Sequence, residues 1–507
     1  MKQATIAIVG GGANGVATFL HLVLKLVAEP LEQQVKLVLL EKNSDFGPGL
    51  AYGTQQRGHL LNTPAGLMGI FAEERMHFVE WLQENSTMVK EQFPEAEIHA
   101  YAYLPRCLYG TYLKEQLDAY RQLARRHNLE VALLKEEATD ATVTDDKVTL
   151  VLKSGARLEA DIAILATGTP KPNNFPHLNH SPHYFDFPWP SGKLLQNIPK
   201  EAPVALLGTS LTAIDTVITL MDNGHTGHLT LYSRHGLLPR IQTPFDVPFE
   251  RKHLTLENIR KLMREEKREL RTKDLFRLFR QDAERVMGPQ NNWKAFNRTD
   301  KPHQELLQHD FTVALAGKSV FQKLAVSTRY LSFPVWKLLT ADEKVHFLKW
   351  FGPHWDINRH SMPITNAHKI LALLQKGQLT IKGGSSEVNW EEGEERFLLH
   401  LADGTIEKSP FLINATGTAK DVEKMDIPLL QNLLRNKFLQ PHPAGGVFAN
   451  PDSLRLYVPA QPKAPLYGVG QLLVGELFDT NAVWFNVACI DQMTNHILRS
   501  LKYGYSA

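Results

Sequence analysis

Residues 5–16 read TIAIVGGGANGV. Thr5 to Val9 form a short apolar run of strand character, Gly10, Gly12 and Gly15 follow at once, and VATFLHLVLKL (residues 16–26) continues with apolar residues at helical spacing. Strand, tight turn and helix in this order make a dinucleotide-binding unit. The first glycine permits the turn and the second lets backbone N–H groups approach a pyrophosphate. The third lets helix and strand pack closely at the helix's positive end. Ala13 and Asn14 lie in the same turn and belong to the same candidate site.

Working outward, VKLVLLEK (residues 35–42) is a second strand that ends at Glu41 and Lys42. An acid at the end of the second strand can accept hydrogen bonds from the adenosine ribose hydroxyls. The fingerprint predicts an adenine dinucleotide without choosing between FAD and NAD; a glycine turn that binds nothing is the bland alternative.

Two later segments bear on that choice. ADIAILATG (residues 160–168) and PFLINATG (residues 410–417) each read as a buried strand followed by Ala-Thr-Gly, ending at Gly168 and Gly417. Such strands resemble the crossing points of flavoproteins with two dinucleotide domains, where the chain leaves the FAD domain and later returns. Between them Val204 to Leu207 lead into GTSLTAID, which places Gly208, Ser210 and Ala213 at the three fingerprint positions, with Thr209 in the turn. The following strand, HLTLYSR, ends at Ser233 and Arg234, where an NAD site would carry an acid. A guanidinium there can grip a 2′-phosphate. Such a charge-assisted bond contributes on the order of 1.5 to 3 kcal/mol, enough to favour NADPH by about tenfold or more. An exposed arginine after a strand, and a second domain that no longer binds nicotinamide, are the competing readings.

Composition limits the alternatives. Of 507 residues 43% are hydrophobic and 22% charged, as in a globular protein of two or three domains. Lys and Arg number 56 against 54 for Asp and Glu, which gives no field for generic nucleic-acid binding. Two distant cysteines, Cys107 and Cys489, form no CxxC pair, so no disulfide framework, metal site or thiol-disulfide centre is expected. The N-terminal apolar run is broken by glycines, a histidine, a lysine and a proline, which predicts neither signal peptide nor membrane span, and hence a cytoplasmic protein.

Beyond the glycines, FGPGLAYGTQQRGHLLNTPAG (46–66), LPRCLYGTYL (104–113), GTSLTAID (208–215), WDINRHSMP (355–363) and YGVGQLLVGELFDTNAVWF (467–485) resemble the bacterial FAD-NAD(P)-binding family of YdhS-like oxidoreductases. The match spans nearly the whole chain, is specific for the family and says little about the substrate. The family's wider relatives look like the class B flavin monooxygenases, which reduce FAD with NADPH and activate dioxygen. The Baeyer-Villiger pattern FxGxxxHxxxW is not met: FPHLNHSPHYFDFPWP (175–190) has histidines and Trp189 at other spacings. The resemblance implies that the turn Leu61, Asn62, Thr63 lies against the flavin, with Asn62 facing it. An ordinary Asx turn explains Asn62 equally well. Gly468 and Gly470 would complete the flavin site, or serve close helix packing.

Residues 249–377 exceed a minimal dinucleotide domain and carry the helical patterns NIRKLMREEKRELRTKDLFRLFRQDAERV and VWKLLTADEKVHFLKWF. This insertion could cap a cleft, or present a solvated basic face. In WDINRHSMP, Trp355, Arg359 and His360 could stack on, clamp and exchange protons with a substrate; the bland alternative puts Trp355 in a helical core. No paired carboxylates, metal ligands or nucleophile elbow occur, so the cofactor is expected to carry the chemistry.

The sequence thus predicts an α/β protein of two Rossmann-like dinucleotide-binding domains, of the glutathione-reductase-like FAD type, with a helical insertion. The FAD domain comprises residues 1–170 and 395–507, with the NAD(P) domain at 171–394. The expected function is NADPH-dependent flavin oxidoreduction, with monooxygenation of a small molecule as the leading reaction. A reductase without oxygen insertion and a non-catalytic flavin-binding sensor are the alternatives. No metal, nucleic acid or integral membrane association is expected, and the residues leave the oligomeric state open.

Overall fold

The computed structural model describes residues 3–43, 45–243, 248–289 and 293–503. In chain order the strands are β1 (Gln3–Val9), β2 (Gln34–Leu40), β3 (Glu130–Leu134), β4 (Ala138–Val143), β5 (Val148–Leu152), β6 (Arg157–Ala160), β7 (Ile162–Leu165) and β8 (Tyr184–Phe185). They continue with β9 (Val204–Leu207), β10 (Leu229–Tyr232), β11 (Leu379–Lys382), β12 (Ser385–Glu391), β13 (Arg396–Leu401), β14 (Ile406–Ser409), β15 (Phe411–Asn414) and β16 (Leu466–Gly468). Two compact units result, one of residues 1–55, 63–170 and 419–507, the other of residues 56–62 and 171–418.

The first unit is a parallel sheet of order β16-β7-β1-β2-β3. Its strands read as unbroken apolar runs because they are buried on both faces; Ile6, Ala7, Ile8, Leu37 and Leu39 are all inaccessible. In register, Val9 pairs with both Leu40 and Leu165, and Leu165 with Gly468, so the carboxyl ends of four strands are level. The antiparallel meander β4-β5-β6 leads directly into β7. The second unit repeats this plan: a parallel sheet β11-β10-β9-β15-β8, and a meander β12-β13-β14 leading into β15.

The repeat extends to single contacts. Gly10 N–H donates to Leu40 O at 2.9 Å and Gly208 N–H to Tyr232 O at 2.7 Å. Gly10 has φ +113° and Gly208 φ +120°, and a Cβ on either would lie 2.1 Å from Ala166 O or 2.3 Å from Ala415 O. Both turns therefore require glycine.

In the first unit the helices Ala13–Ala28 and Val483–Tyr503 run parallel. Lys25 Nζ bonds Asp491 at 2.7 Å and Thr494 Oγ1 at 2.8 Å, His21 Nδ1 lies 3.3 Å from Asp491, and Glu29 pairs with Lys502. A constant offset of this kind brings the two helix N-termini side by side.

Two boundaries differ from the sequence reading. Residues 395–418, assigned there to the FAD part, stay with the second unit, since the meander feeds β15 and β15 pairs with β9. Residues 56–62 also belong to the second unit: His59 Nε2 lies 2.7 Å from Thr219 Oγ1, and Asn366 Nδ2 donates to Gly58 O at 3.1 Å. The β10-to-β11 connection carries the helices of the insertion. The last, Ile364–Gln375, packs Ala367, Ile370 and Leu373 into the second sheet's core with Ile214 and Val217, so it is the ordinary crossover helix and the inserted helices end before it.

Gly208→Ala should destabilise the protein by about 1–3 kcal/mol in denaturant titration, because the turn has neither the φ nor the space for a methyl group. The Asp491 carboxyl is held down at about 2, first by the His21 hydrogen bond and then by Lys25. Lys25 is itself lowered by burial, so the pair stabilises less than the carboxylate shift alone implies. Stability from a depressed carboxylate is complete above its unfolded value of about 4 and is lost as pH falls through the folded one. Asp491→Asn should accordingly flatten the loss of stability between about pH 4 and 2; an unchanged slope in acid titration would exclude this account.

Candidate dinucleotide sites

At the level carboxyl ends of the first sheet, Gly11 N–H donates to Glu41 Oε2 at 2.8 Å, and Asn43 donates its backbone and side-chain N–H groups to Glu41 Oε1 at 3.0 and 3.1 Å. The second strand's acid is thus buried and oriented beside the glycine turn, while Lys42 is exposed. Gly15 packs on Gly10, where a Cβ would lie 1.8 Å from the Gly10 carbonyl oxygen. Gly12 caps the helix Ala13–Ala28 with no side-chain hydrogen bond, and neither this helix nor Val483–Tyr503 has an acid in its first turn.

Two helix N-termini with no acid in their first turns therefore lie at one place, each favouring an anion by about 0.3–1 kcal/mol. At the start of the second helix, Thr480 Oγ1 and Asn486 Oδ1 are buried without a hydrogen-bond partner. Gly49 faces Gly12, Gly470 (φ +70°) is approached by the Asn14 side chain, and nothing lies within 4 Å of a Cβ built on Gly168. An adenine dinucleotide fits: N–H groups for a pyrophosphate, a held carboxylate for a ribose, and orphaned acceptors and donors for a ring system. Gly468 packs instead against Leu456, Leu472 and Leu473, the close-packing alternative.

The second cradle has the same turn and a different rim. Ser210 caps the helix Leu211–Asp222 with no side-chain hydrogen bond, and that helix too has no acid in its first turn. Ser210 is exposed and Ala213 is fully buried where the first unit has Gly15. Gly417, with φ +91°, ends the loop after β15 opposite Thr212. Thr209 Oγ1 donates to Leu237 O at 2.6 Å and lies 3.1 Å from Ser233 Oγ, which accepts Gly236 N–H at 2.9 Å. Each hydroxyl has one proton, so Ser233 must donate to Thr209. Ser233 therefore holds the loop and has no proton left for a phosphate, whereas Arg234 beside it is exposed. His303 Nε2–H donates to Gly236 O at 2.6 Å and pins the same loop from the insertion. Burial lowers the His303 pKa and keeps the ring neutral.

Within the insertion Trp355 is buried among Phe279, Phe347 and Phe351, with ring centroids 6.1–6.3 Å apart, so it packs a core rather than offering a stacking surface. Arg359 and His360 end the helix Gly352–Arg359, half-buried, with His360 Nδ1 3.5 Å from Asp356. Asn358 of this motif joins elements through its side chain: its Oδ1 accepts Arg240 Nε–H at 2.6 Å and its Nδ2 donates to His354 O at 2.7 Å. Arg240 and Arg298 share Asp310 at 3.2 and 2.7 Å, all three buried. Burial, then Arg298, pushes the Arg240 guanidinium down to about 10. No sequence signal marks this group, since its members lie up to 118 residues apart. Leu61 and Asn62 lie in the second unit and Thr63 in the first.

Residues 7–170 match the model of the FAD-NAD(P)-binding family. The match lies mostly in the first unit. Its glycine turn, Glu41 and the β7 crossing all fall inside the matched residues. The YdhS protein of Escherichia coli K12 is 26% identical over 277 residues, 50% of this chain and 49% of its own length. Rv3403c of Mycobacterium tuberculosis is 24% identical over 302 residues, 50% of this chain and 56% of its own. The chain thus spans about half the length of the curated relatives it matches.

Among solved structures, ornithine hydroxylase from Pseudomonas aeruginosa aligns over 99% of this chain and 100% of its own with a TM-score of 0.59 and 13% identity. The Kutzneria ornithine N-hydroxylase aligns over 99% and 100% with 0.58 and 12%. DfoA, the cadaverine monooxygenase of Erwinia amylovora, aligns over 99% and 96% with 0.56 and 13%. At these identities the likeness shows the fold alone, and it extends beyond residue 170. No helix among the described residues is long and apolar enough to cross a membrane.

Asp310→Ala would strand two buried guanidinium groups and should cost about 3–5 kcal/mol of stability, read as a lower melting temperature. A loss under about 1 kcal/mol would mean that water already reaches the group.

Proposed function

We propose that the chain is an FAD-dependent oxidoreductase that takes electrons from NADPH and inserts oxygen into a small molecule. The observation that carries this reading is the duplicated cradle with opposite rims. The first cradle ends β2 in a buried carboxylate, suited to a ribose diol, and the second ends β10 in an exposed guanidinium, suited to a 2′-phosphate. FAD would be held in the first by Gly10, Gly12, Ala13, Asn14, Gly15 and Glu41, with the Val483–Tyr503 helix end. NADPH would be held in the second by Gly208, Thr209, Ser210 and Arg234. When bound, FAD supplies hydride acceptance and reaction with dioxygen; the chain supplies binding, orientation and dry surroundings.

The fold neighbours support the oxygen-inserting form, since their titles name an ornithine hydroxylase, an ornithine N-hydroxylase with reduced FAD and NADP⁺, and a cadaverine monooxygenase bound to FAD. Asn62 remains the candidate for an amide that faces the flavin. Arg359 and His360 stay candidates for clamping a substrate anion and for exchanging a proton with it. Electron transfer without oxygen insertion is favoured by one feature: residues 175–190 lack the FxGxxxHxxxW spacing, and Trp189 packs edge-on against His59 at 4.5 Å.

Anaerobic mixing of the FAD-loaded protein with NADPH or NADH, followed by oxygen and a panel of small amines, separates these readings. Rapid bleaching with NADPH and a hydroxylated product support oxygen insertion. Bleaching with release of hydrogen peroxide for every amine supports electron transfer, and no bleaching with either nucleotide refutes both. At the second cradle, Arg234→Ala should weaken NADPH by about tenfold or more, with little change for NADH. Equal losses for the two nucleotides would remove the 2′-phosphate assignment.

A further inference from the structure

The helices His77–Glu84 and Arg106–Arg126 of the first unit enclose a buried aromatic cluster that the dinucleotide sites do not use. Tyr112 is inaccessible, and its ring lies 5.5 Å from Trp81 and 5.4 Å from Tyr109. Tyr109 stands 4.7 Å edge-on from Tyr52, at the end of the short helix that begins at Gly49, opposite Gly12. The cluster thus reaches from the first cradle to the outer helices through ring separations close enough for electron exchange.

The hydrogen bonds distinguish these rings. Tyr112 Oη accepts Ile70 N–H at 3.3 Å and lies 2.8 Å from His77 Nδ1. The phenol has a single proton and no other acceptor, so that proton points at Nδ1 and His77 is the Nε2–H tautomer. Burial lowers the His77 pKa against the opposing pull of Glu74, Glu80 and Glu84, which favours the neutral ring, and its unprotonated Nδ1 is the acceptor that the Tyr112 proton faces. Trp81 has the same provision: its Nε1–H donates to Glu115 Oε2 at 2.8 Å. Tyr109 does not; its hydroxyl is buried without a partner, so its proton has nowhere to go.

We propose that Tyr112 and His77, backed by Trp81 and Glu115, form a proton-coupled one-electron relay that discharges oxidants of the oxygen-radical class arising beside the first cradle. Tyr112 gives one electron to the oxidant, its O–H bond breaks, and the proton passes to His77 Nδ1, leaving a neutral phenoxyl radical and an imidazolium. One electron from a thiol-class reductant and the proton returned by His77 restore both groups. The protective use rests on the oxygen chemistry proposed above; the relay itself does not.

The test uses the full chain and a flash-generated ruthenium(III) polypyridyl oxidant, so its result is independent of flavin turnover. Transient absorption and electron paramagnetic resonance should reveal a neutral tyrosyl radical that is lost in Tyr112→Phe, lost in His77→Gln and retained in Tyr109→Phe. A radical that persists in Tyr112→Phe, that vanishes in Tyr109→Phe, or that never forms in the unaltered protein overturns the proposal. Should the substituted chains fail to fold, the unaltered protein decides: electron–nuclear double resonance compared in H₂O and D₂O should detect an exchangeable proton hydrogen-bonded to the phenoxyl oxygen, and its absence overturns the relay. If the relay is confirmed while NADPH fails to bleach the flavin, the relay stands and the proposed function falls.

Discussion

The contact on which the molecule depends is the one between a missing side chain and a carbonyl: Gly10 against Ala166 O, and again Gly208 against Ala415 O. Because there is no Cβ, the chain can leave the central strand, pass under the neighbouring strand's carbonyl and enter a helix within a few residues. That passage levels the strand ends and starts a helix with no acid in its first turn. The strands can be buried on both faces because their backbone groups are paired within the sheet and their side chains are apolar throughout.

The same turn in two settings yields two different sites. In the first unit a second long helix brings its own N-terminus alongside, and Glu41 is buried and oriented by three N–H groups. In the second the corresponding strand ends in a hydroxyl whose proton is used within its own loop and in an arginine turned to solvent. Backbone geometry sets where an anion can sit, and the residue after the second strand sets the charge of the rim beside it.

The insertion illustrates how a polar group can be structural. Arg240, Arg298 and Asp310 are buried, and a lone buried charge is costly, so the three are retained together or not at all. Asn358 ties them to the helix that carries Trp355, and His303 ties the insertion to the loop bearing Arg234. A change in the insertion, far from the second cradle, could therefore displace the loop that bears Arg234.

The sequence by itself determined the two glycine turns, the α/β class, Glu41 and Arg234 at the strand ends, and the existence of a helical insertion, because each follows from local spacing or from backbone geometry that only glycine permits. Tertiary structure decided what depends on distant partners. It kept residues 395–418 with the second unit through β15 pairing, moved Leu61 and Asn62 into that unit, and buried Trp355 in an aromatic core. It also gave Ser233 a partner in the glycine turn at Thr209 and buried Thr480 Oγ1 and Asn486 Oδ1 without a partner among the described residues. The division has one physical reason: turns and strand ends are set by a few neighbouring residues, whereas buried polar partners are set by which surfaces the completed sheets bring together.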